Sequence, residues 1–169
     1  MSREDRDTAA AILASAREQF LTRGYEKATL RDICAGAGVS TGALYYFFHN
    51  KEALFAALVN PALRELDRLF AEPVPDSALL PLLFTHRDAL RLLLERAEGP
   101  RYEAFVRKLR KHAEQLVWEY TEAVDGTSPD GAVTDILADM YCAALKGLAE
   151  REGSYEELLR VSEGLRRLT

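Results

Sequence analysis

Apolar side chains recur along this chain at helical spacing, and nowhere with the alternation of a strand. Between Arg101 and Val124 they fall at 102, 105, 106, 109, 113, 116, 117, 120 and 124. Between Asp130 and Arg151 they fall at 133, 136, 137, 140, 141, 144, 145 and 148. Such spacing lines one face of a helix, whereas a half-buried strand alternates apolar with polar. No alternating run of β-branched residues stands between turn residues, and no internal repeat is present. The expected fold class is all-α. The 169 residues suffice for one or two small domains, and 48% hydrophobic with 29% charged residues is a globular balance.

The remaining composition closes off other classes. Only two cysteines, Cys34 and Cys142, are present and they lie far apart. That excludes a disulfide framework, a zinc ribbon and a C-x-x-C redox site. No apolar run reaches the roughly 18 residues a membrane span requires. The N-terminal MSREDRDTAAAIL has mixed charge and no cleavage pattern, so no signal peptide is read and the cytoplasm is expected.

The punctuation divides the chain into helices. The first is expected from Asp7 or Thr8, with Ile12, Leu13, Ala16 and Phe20 on its face and Gly24 closing it. Thr29 to Asp32 resembles a capping box opening a second helix, Gly38 turns the chain, and Ser40 caps a third from Thr41 to about Phe48. Asn50 caps a fourth over 51–71, which Pro61 should kink or split near Val59–Asn60. A linker follows at 72–76, then short helices at 77–84 and 88–97, and a break at Glu98-Gly-Pro100. Longer helices at 101–124 and 130–151 flank a polar loop, and a last helix is expected at 155–168. The predicted division is a head at 1–50 and a body at 51–169.

The stretch with most to say is TLRDICAGAGVSTGALYYFFHNKEALF, Thr29 to Phe55. Two short helices joined by a glycine-containing turn form a helix-turn-helix pattern. On the third helix Leu44, Phe47 and Phe48 share one side and pack inward with Ile33 and Val39. The other side shows Gly42 and Tyr46 flanked by Ala43 and Tyr45. Small residues let a helix sit deep in a DNA groove, and hydroxyls from Ser40, Thr41 and the tyrosines suit phosphates or base edges. Arg31 and Lys51 stand in the first turns of their helices, where phosphate is favoured. The net charge is −5, but residues 1–51 carry +1 and the rest −6, so the acidity belongs to the body.

These residues resemble the N-terminal domain of the TetR/AcrR family of transcriptional regulators. The family pattern T-x-x-x-I-A-x-x-A-G-V-S-x-G-x-L-Y-x-x-F-x-x-K-E-x-L is met by Thr29, Ile33, Ala37, Gly38, Val39, Ser40, Gly42, Leu44, Tyr45, Phe48, Lys51, Glu52 and Leu54. Phe20, Gly24 and Tyr25 fit the F-x-x-x-G-Y at the end of the first helix. The resemblance implies an all-helical homodimer. Its three N-terminal helices would bind a double-stranded DNA operator, and its C-terminal helices would form a ligand-binding and dimerisation domain. Most such proteins are repressors released by a small molecule. Family DNA contacts fall on Thr29, Arg31, Ser40, Thr41, Gly42, Ala43, Tyr45, Tyr46 and Lys51. Phe47 stands where many members have a phosphate-binding His, so that contact is expected to be lost or to move to His49. Cys34 replaces a common Ala, and the acidic Glu4, Asp5 and Asp7 replace a basic arm.

The body is read from its residues. The wide apolar stripes of about 130–151 and 155–168 would be partly exposed in a monomer, so they are expected to form a two-fold dimer interface. The aromatic and polar groups Phe84, His86, Tyr102, Phe105, Trp118, Tyr141 and Cys142 are the candidate effector pocket, with core packing the competing role for Tyr102, Phe105 and Tyr141. Arg107, Lys108, Arg110 and Lys111 read as a solvated face beside Glu103 and Glu114. No nucleophilic triad, phosphate loop, or metal-spaced histidine pair occurs among His49, His86 and His112, so no enzyme, metal or cofactor is expected. The alternative function is a helical regulator acting by protein contact with no operator binding.

Overall fold

The computed structural model describes residues 2–70, 76–96, 98–126, 130–151, 153–157 and 159–160, with side chains for all of these except 76–80, 120, 123–125, 141, 145 and 149. Among the described residues every regular element is helical, as expected: α1 (Arg3–Arg23), α2 (Leu30–Ala37), α3 (Thr41–Phe47), α4 (Lys51–Leu69), α5 (Asp76–Thr85), α6 (Arg87–Arg96), α7 (Gly99–Asp125) and α8 (Gly131–Glu150). The polar loop's centre and the greater part of the 72–76 linker lie outside the described residues. The expected last helix is described only at 155–157 and 159–160, which are helical. A capping box opens it: Ser154 N–H donates to Glu157 Oε2 at 2.7 Å and Glu157 N–H to Ser154 Oγ at 3.3 Å.

Two expectations change. The first helix begins at Arg3, not at Asp7 or Thr8, because Ser2 and Asp5 close a reciprocal capping box, with Asp5 N–H on Ser2 Oγ at 3.0 Å and Ser2 N–H on Asp5 Oδ2 at 2.8 Å. Pro61 does not split the fourth helix, which is continuous from Lys51 to Leu69. Proline removes one backbone bond there, but the fully buried Val59 and Ala62 on either side hold the segment against its neighbours.

The chain forms two compact units. The first joins residues 1–65 with Asp88–Arg96. It therefore runs past the expected boundary at residue 50 and includes most of α4 and nearly all of α6. Its core is Ile12, Ala16 and Phe20 from α1, Ile33 and Cys34 from α2, Leu44 from α3, Leu54, Phe55 and Val59 from α4, and Leu90, Leu92, Leu93 and Leu94 from α6. Burying one such side chain contributes roughly 1.5–3 kcal/mol. The helix α1 crosses α2 closely at Ser15, whose buried hydroxyl donates to the Ile33 carbonyl at 2.9 Å.

The second unit joins Leu66–Arg87 with residues 97–169. Within it α7 packs on α8, and Phe105, Leu109 and Ala113 face inward with Ala138 and Leu148. His112 is buried with them, its ring stacked 4.7 Å from Phe70. Two of the four cations read as a solvated face also meet carboxylates, partly from other helices. Lys108 pairs with Asp67, and Arg110 pairs with Glu114 at 3.2 Å, with Asp135 at 2.9 Å, and with Asp139. Arg107 and Lys111 stay exposed.

Candidate nucleic-acid interface

The interface is built by local capping. Thr29 caps α2, Gly38 turns the chain in the left-handed region at φ 66°, and Ser40 caps α3 by accepting the Ala43 N–H at 3.1 Å. Glycine takes that φ without the strain a Cβ would bring. Leu44 then seats α3, with Phe47, Phe48 and Val39 half-buried around it. What remains outward is the face the sequence indicated. Tyr46 is 74% exposed and Tyr45 49%. Thr41 and Gly42 are exposed beside them, and Ala43 is half-buried. The Tyr46 ring stands edge-on to Phe47 at 4.9 Å, which fixes its direction.

The polar groups around α3 differ in what they still have to offer. Ser40 accepts its capping bond and keeps its proton for another acceptor. Thr29 donates its proton to Asp32 Oδ2 at 2.8 Å, so it has no donor left for a phosphate. Arg23 pairs with the same carboxylate at 3.0 Å. Arg31 and His49 are exposed. Lys27 is exposed as well, and the sequence reading passed over it; its signal was a cation two residues ahead of the Thr29 cap.

Lys51 is placed differently from the expectation. Its ammonium turns back on the loop between α1 and α2, donating to the carbonyls of Tyr25 at 2.8 Å, Glu26 at 3.2 Å and Ala28 at 3.4 Å. Those three bonds use all three of its protons. It also lies 4.4 Å over the Tyr25 ring. Lys51 is therefore a strut that holds the loop leading into α2.

A wider brace surrounds it. The Tyr25 hydroxyl donates to Glu52 Oε2 at 3.1 Å, and Arg96 of α6 donates to the same oxygen at 2.6 Å. The Arg96 guanidinium lies 4.1 Å over Tyr25 and 4.9 Å over Phe55. Burial, then the neighbouring Glu52 carboxylate, pushes the Tyr25 hydroxyl above its ordinary pKa. The partners are 27 and 44 positions apart in sequence, so no local pattern signals this cluster.

The candidate pocket residues are dispersed. Phe84 is 38% exposed and stands edge-on to Tyr155 at 5.5 Å. His86 and Tyr102 are half-buried, Phe105 belongs to the core, and Trp118 is 47% exposed. Cys142 is half-buried, and burial raises its thiol pKa. The Tyr141 side chain lies outside the described residues.

A capped turn presenting a small, hydroxyl-bearing helix face is a helix-turn-helix arrangement. Residues 12–58 match the family described as bacterial regulatory proteins, tetR family. The regulator EthR of Mycolicibacterium smegmatis is 34% identical over 68 residues, 40% of this chain and 31% of that protein. The chain thus spans about a third of the length of that curated relative. Among solved structures, the MbdR regulator from Azoarcus sp. CIB is 26% identical with a TM-score of 0.63, covering 84% of both chains. A gamma-butyrolactone receptor described as ArpA-like is 27% identical with a TM-score of 0.66, covering 92% of this chain and 84% of that one. The likeness to the tetR family of bacterial regulatory proteins thus rests on residues 12–58, the helix-turn-helix region and the start of α4.

Proposed function

We propose that this chain is a homodimeric transcriptional repressor that reads a near-palindromic operator through α3 and releases it when a small apolar or amphipathic molecule binds residues 51–169. The outward face of α3 carries the reading. A tyrosine left 74% exposed on a short helix, with Tyr45, Thr41 and Gly42 beside it, packs only edge-on against Phe47 and leaves its hydroxyl open. It has the size and hydroxyl to meet a groove wall. Ser40 adds a free hydroxyl proton, and Arg31, His49 and Lys27 add donors on the same side of the sequence. Lys51 and Thr29 act behind them, by holding the loop and the α2 cap.

The dimer is supported by α8. Val133, Ile136 and Met140 are 49%, 61% and 57% exposed, and their spacing puts them on one helix face. An apolar stripe of that kind is unfavourable in water and is covered by its own copy across a two-fold axis. Such a dimer presents two α3 helices to successive turns of a palindrome. Effector binding then changes the population of head spacings, and linkage sets the loss of DNA affinity at typically about 1–3 kcal/mol.

The test is selection of the purified protein on a random duplex pool at about 150 mM salt, where screened surface charges contribute little. An enriched near-palindrome is expected, and Tyr46→Ala should abolish it without changing the helical circular dichroism. Enrichment that survives Tyr46→Ala would remove α3 as the reader. No enrichment, before or after refolding to strip bound ligand, would favour regulation by protein contact instead.

A further inference from the structure

One cation in the second unit has an unmet need. Arg87 opens α6, and its Nη1 donates to the Gly153 carbonyl at 3.2 Å. Its Nε and Nη2 are sealed from solvent and face no acceptor. Of the carboxylates near this contact in sequence, Asp88 pairs with Arg17 at 3.6 Å and Glu157 accepts the Ser154 N–H at 2.7 Å. A guanidinium does not shed its proton to escape burial. Arg87 as a whole is half-buried, but two charged donors sealed from solvent and left idle are costly, so the position favours an anion.

The geometry selects which anion. Nε–H and Nη2–H form one edge of the guanidinium, two parallel donors spaced to grip both oxygens of a single carboxylate. The positive end of the α6 dipole adds to the same preference. Next to this edge the surroundings turn apolar. Phe84, at the end of α5, lies three residues before Arg87, and its ring packs against Tyr155, two residues beyond the Gly153 carbonyl that Arg87 holds. Phe84 is 38% exposed, so its ring is open to a ligand from solvent.

We propose that Arg87 anchors an acidic effector, a monocarboxylate whose head group lies on the Nε and Nη2 edge and whose apolar portion lies along Phe84 and Tyr155. This rests on the reading of residues 51–169 as the effector-binding part, and it names the chemical class that part takes. It also explains why a cation is sealed there with only one of its edges in use.

Titration of the full chain with octanoate and 4-phenylbutyrate tests it, against the matched alcohols 1-octanol and 4-phenyl-1-butanol. Isothermal calorimetry and thermal shift are the readouts. At least one acid is expected to bind and raise the melting temperature, with its alcohol at least tenfold weaker. Arg87→Met should lower acid affinity about 10- to 100-fold, the worth of two charge-assisted bonds. Arg87→Lys keeps the charge but not the fork and should show most of that loss, which guards against a folding defect in Arg87→Met. Acid and alcohol binding alike, acid binding unchanged in Arg87→Lys, or no acid binding at millimolar concentration would each overturn the proposal. A gel shift on the selected operator separates the two readings. Arg87-dependent acid binding that leaves DNA bound would sink release by effector and keep the anchor. Release by the alcohols alone would keep the release and sink the anchor.

Discussion

The close crossing of α1 and α2 offers a sharp test of how the head is held. A Cβ added at Gly36 would stand 2.4 Å from Ser15 Oγ and 3.4 Å from Ser15 Cβ. The first distance is untenable and the second is ordinary contact. Gly36→Ala therefore has two routes of relief. Rotating Ser15 breaks its 2.9 Å bond to the Ile33 carbonyl and strands a hydroxyl that is almost fully buried, at about 1–3 kcal/mol. Opening the crossing loosens the packing of Ala16 and Ile33, at about 1–3 kcal/mol. Against either stands the helix-propensity gain of alanine over glycine, at most about 1 kcal/mol. The net expectation is a loss of about 1–2 kcal/mol in urea unfolding followed by circular dichroism. Ser15→Ala alone should lose about 1 kcal/mol, the worth of its hydrogen bond. The double variant removes the colliding oxygen and keeps the alanine gain, so it should lie above Gly36→Ala and within about 1 kcal/mol of the parent. Gly36→Ala as stable as the parent, or a double variant that costs the sum of the singles, would refute the reasoning.

Three further outcomes follow from the same geometry. Met140→Glu places a charge in the exposed α8 stripe and should convert a dimer to a monomer in light scattering with helix content unchanged; a parent that is itself monomeric would refute the α8 interface. Glu52→Gln weakens the partly exposed pair with Arg96 and the acceptor of Tyr25, for a loss of about 1 kcal/mol after allowance for solvent screening, and its effect should not add to that of Arg96→Met. Tyr25 has its pKa raised by folding, so the neutral form is favoured in the native state; stability from this group is complete below the unfolded tyrosine pKa of about 10 and is lost as pH rises through the folded value. Tyr25→Phe should flatten that alkaline fall in a pH series of urea midpoints.

What was legible in the sequence is what short-range bonding decides. Thr29, Ser40 and Asn50 cap helices in the structure as expected, because a cap joins a side chain to a backbone N–H three residues on. The inward face of α3 was legible for the same reason: Leu44 follows from helical spacing alone. The Ser2–Asp5 box escaped because the helix was started at its first apolar run, whereas the bonds that start it lie among charged residues. Lys51 escaped for a different reason. Its first-turn position promised a phosphate, but the carbonyls it meets come from the loop 23–26 residues earlier. Arg96 and Glu52 belong to helices whose meeting is a property of the fold. Pro61 shows the converse, a local rule for breaking a helix outweighed by the burial of Val59 and Ala62.

The same geometry bears on how the proposed operator would be read. The α3 helix, Thr41 to Phe47, carries no charged side chain, and of the cations near it Lys51 and Arg23 are already bound within the head. Few phosphates can then be neutralised per head, and each neutralised phosphate contributes a slope of about −0.9 to the dependence of log affinity on log salt. A head of this kind gains little from non-specific attraction and depends on fit. Fit requires that α3 be held rigidly, and the brace of Lys51, Tyr25, Glu52 and Arg96 supplies that. A single head would bind weakly, and two heads on one dimer gain through effective concentration, which vanishes when their spacing no longer matches the site. Release by a modest change in spacing is therefore easier for this chain than for a strongly basic reader, whose electrostatic attraction would persist. The expected signature is a salt slope shallow enough to reflect only Arg31 and Lys27 from each head, which a titration of operator affinity against salt would measure. A steep slope, of the size that many phosphate contacts give, would show that further cations carry the binding.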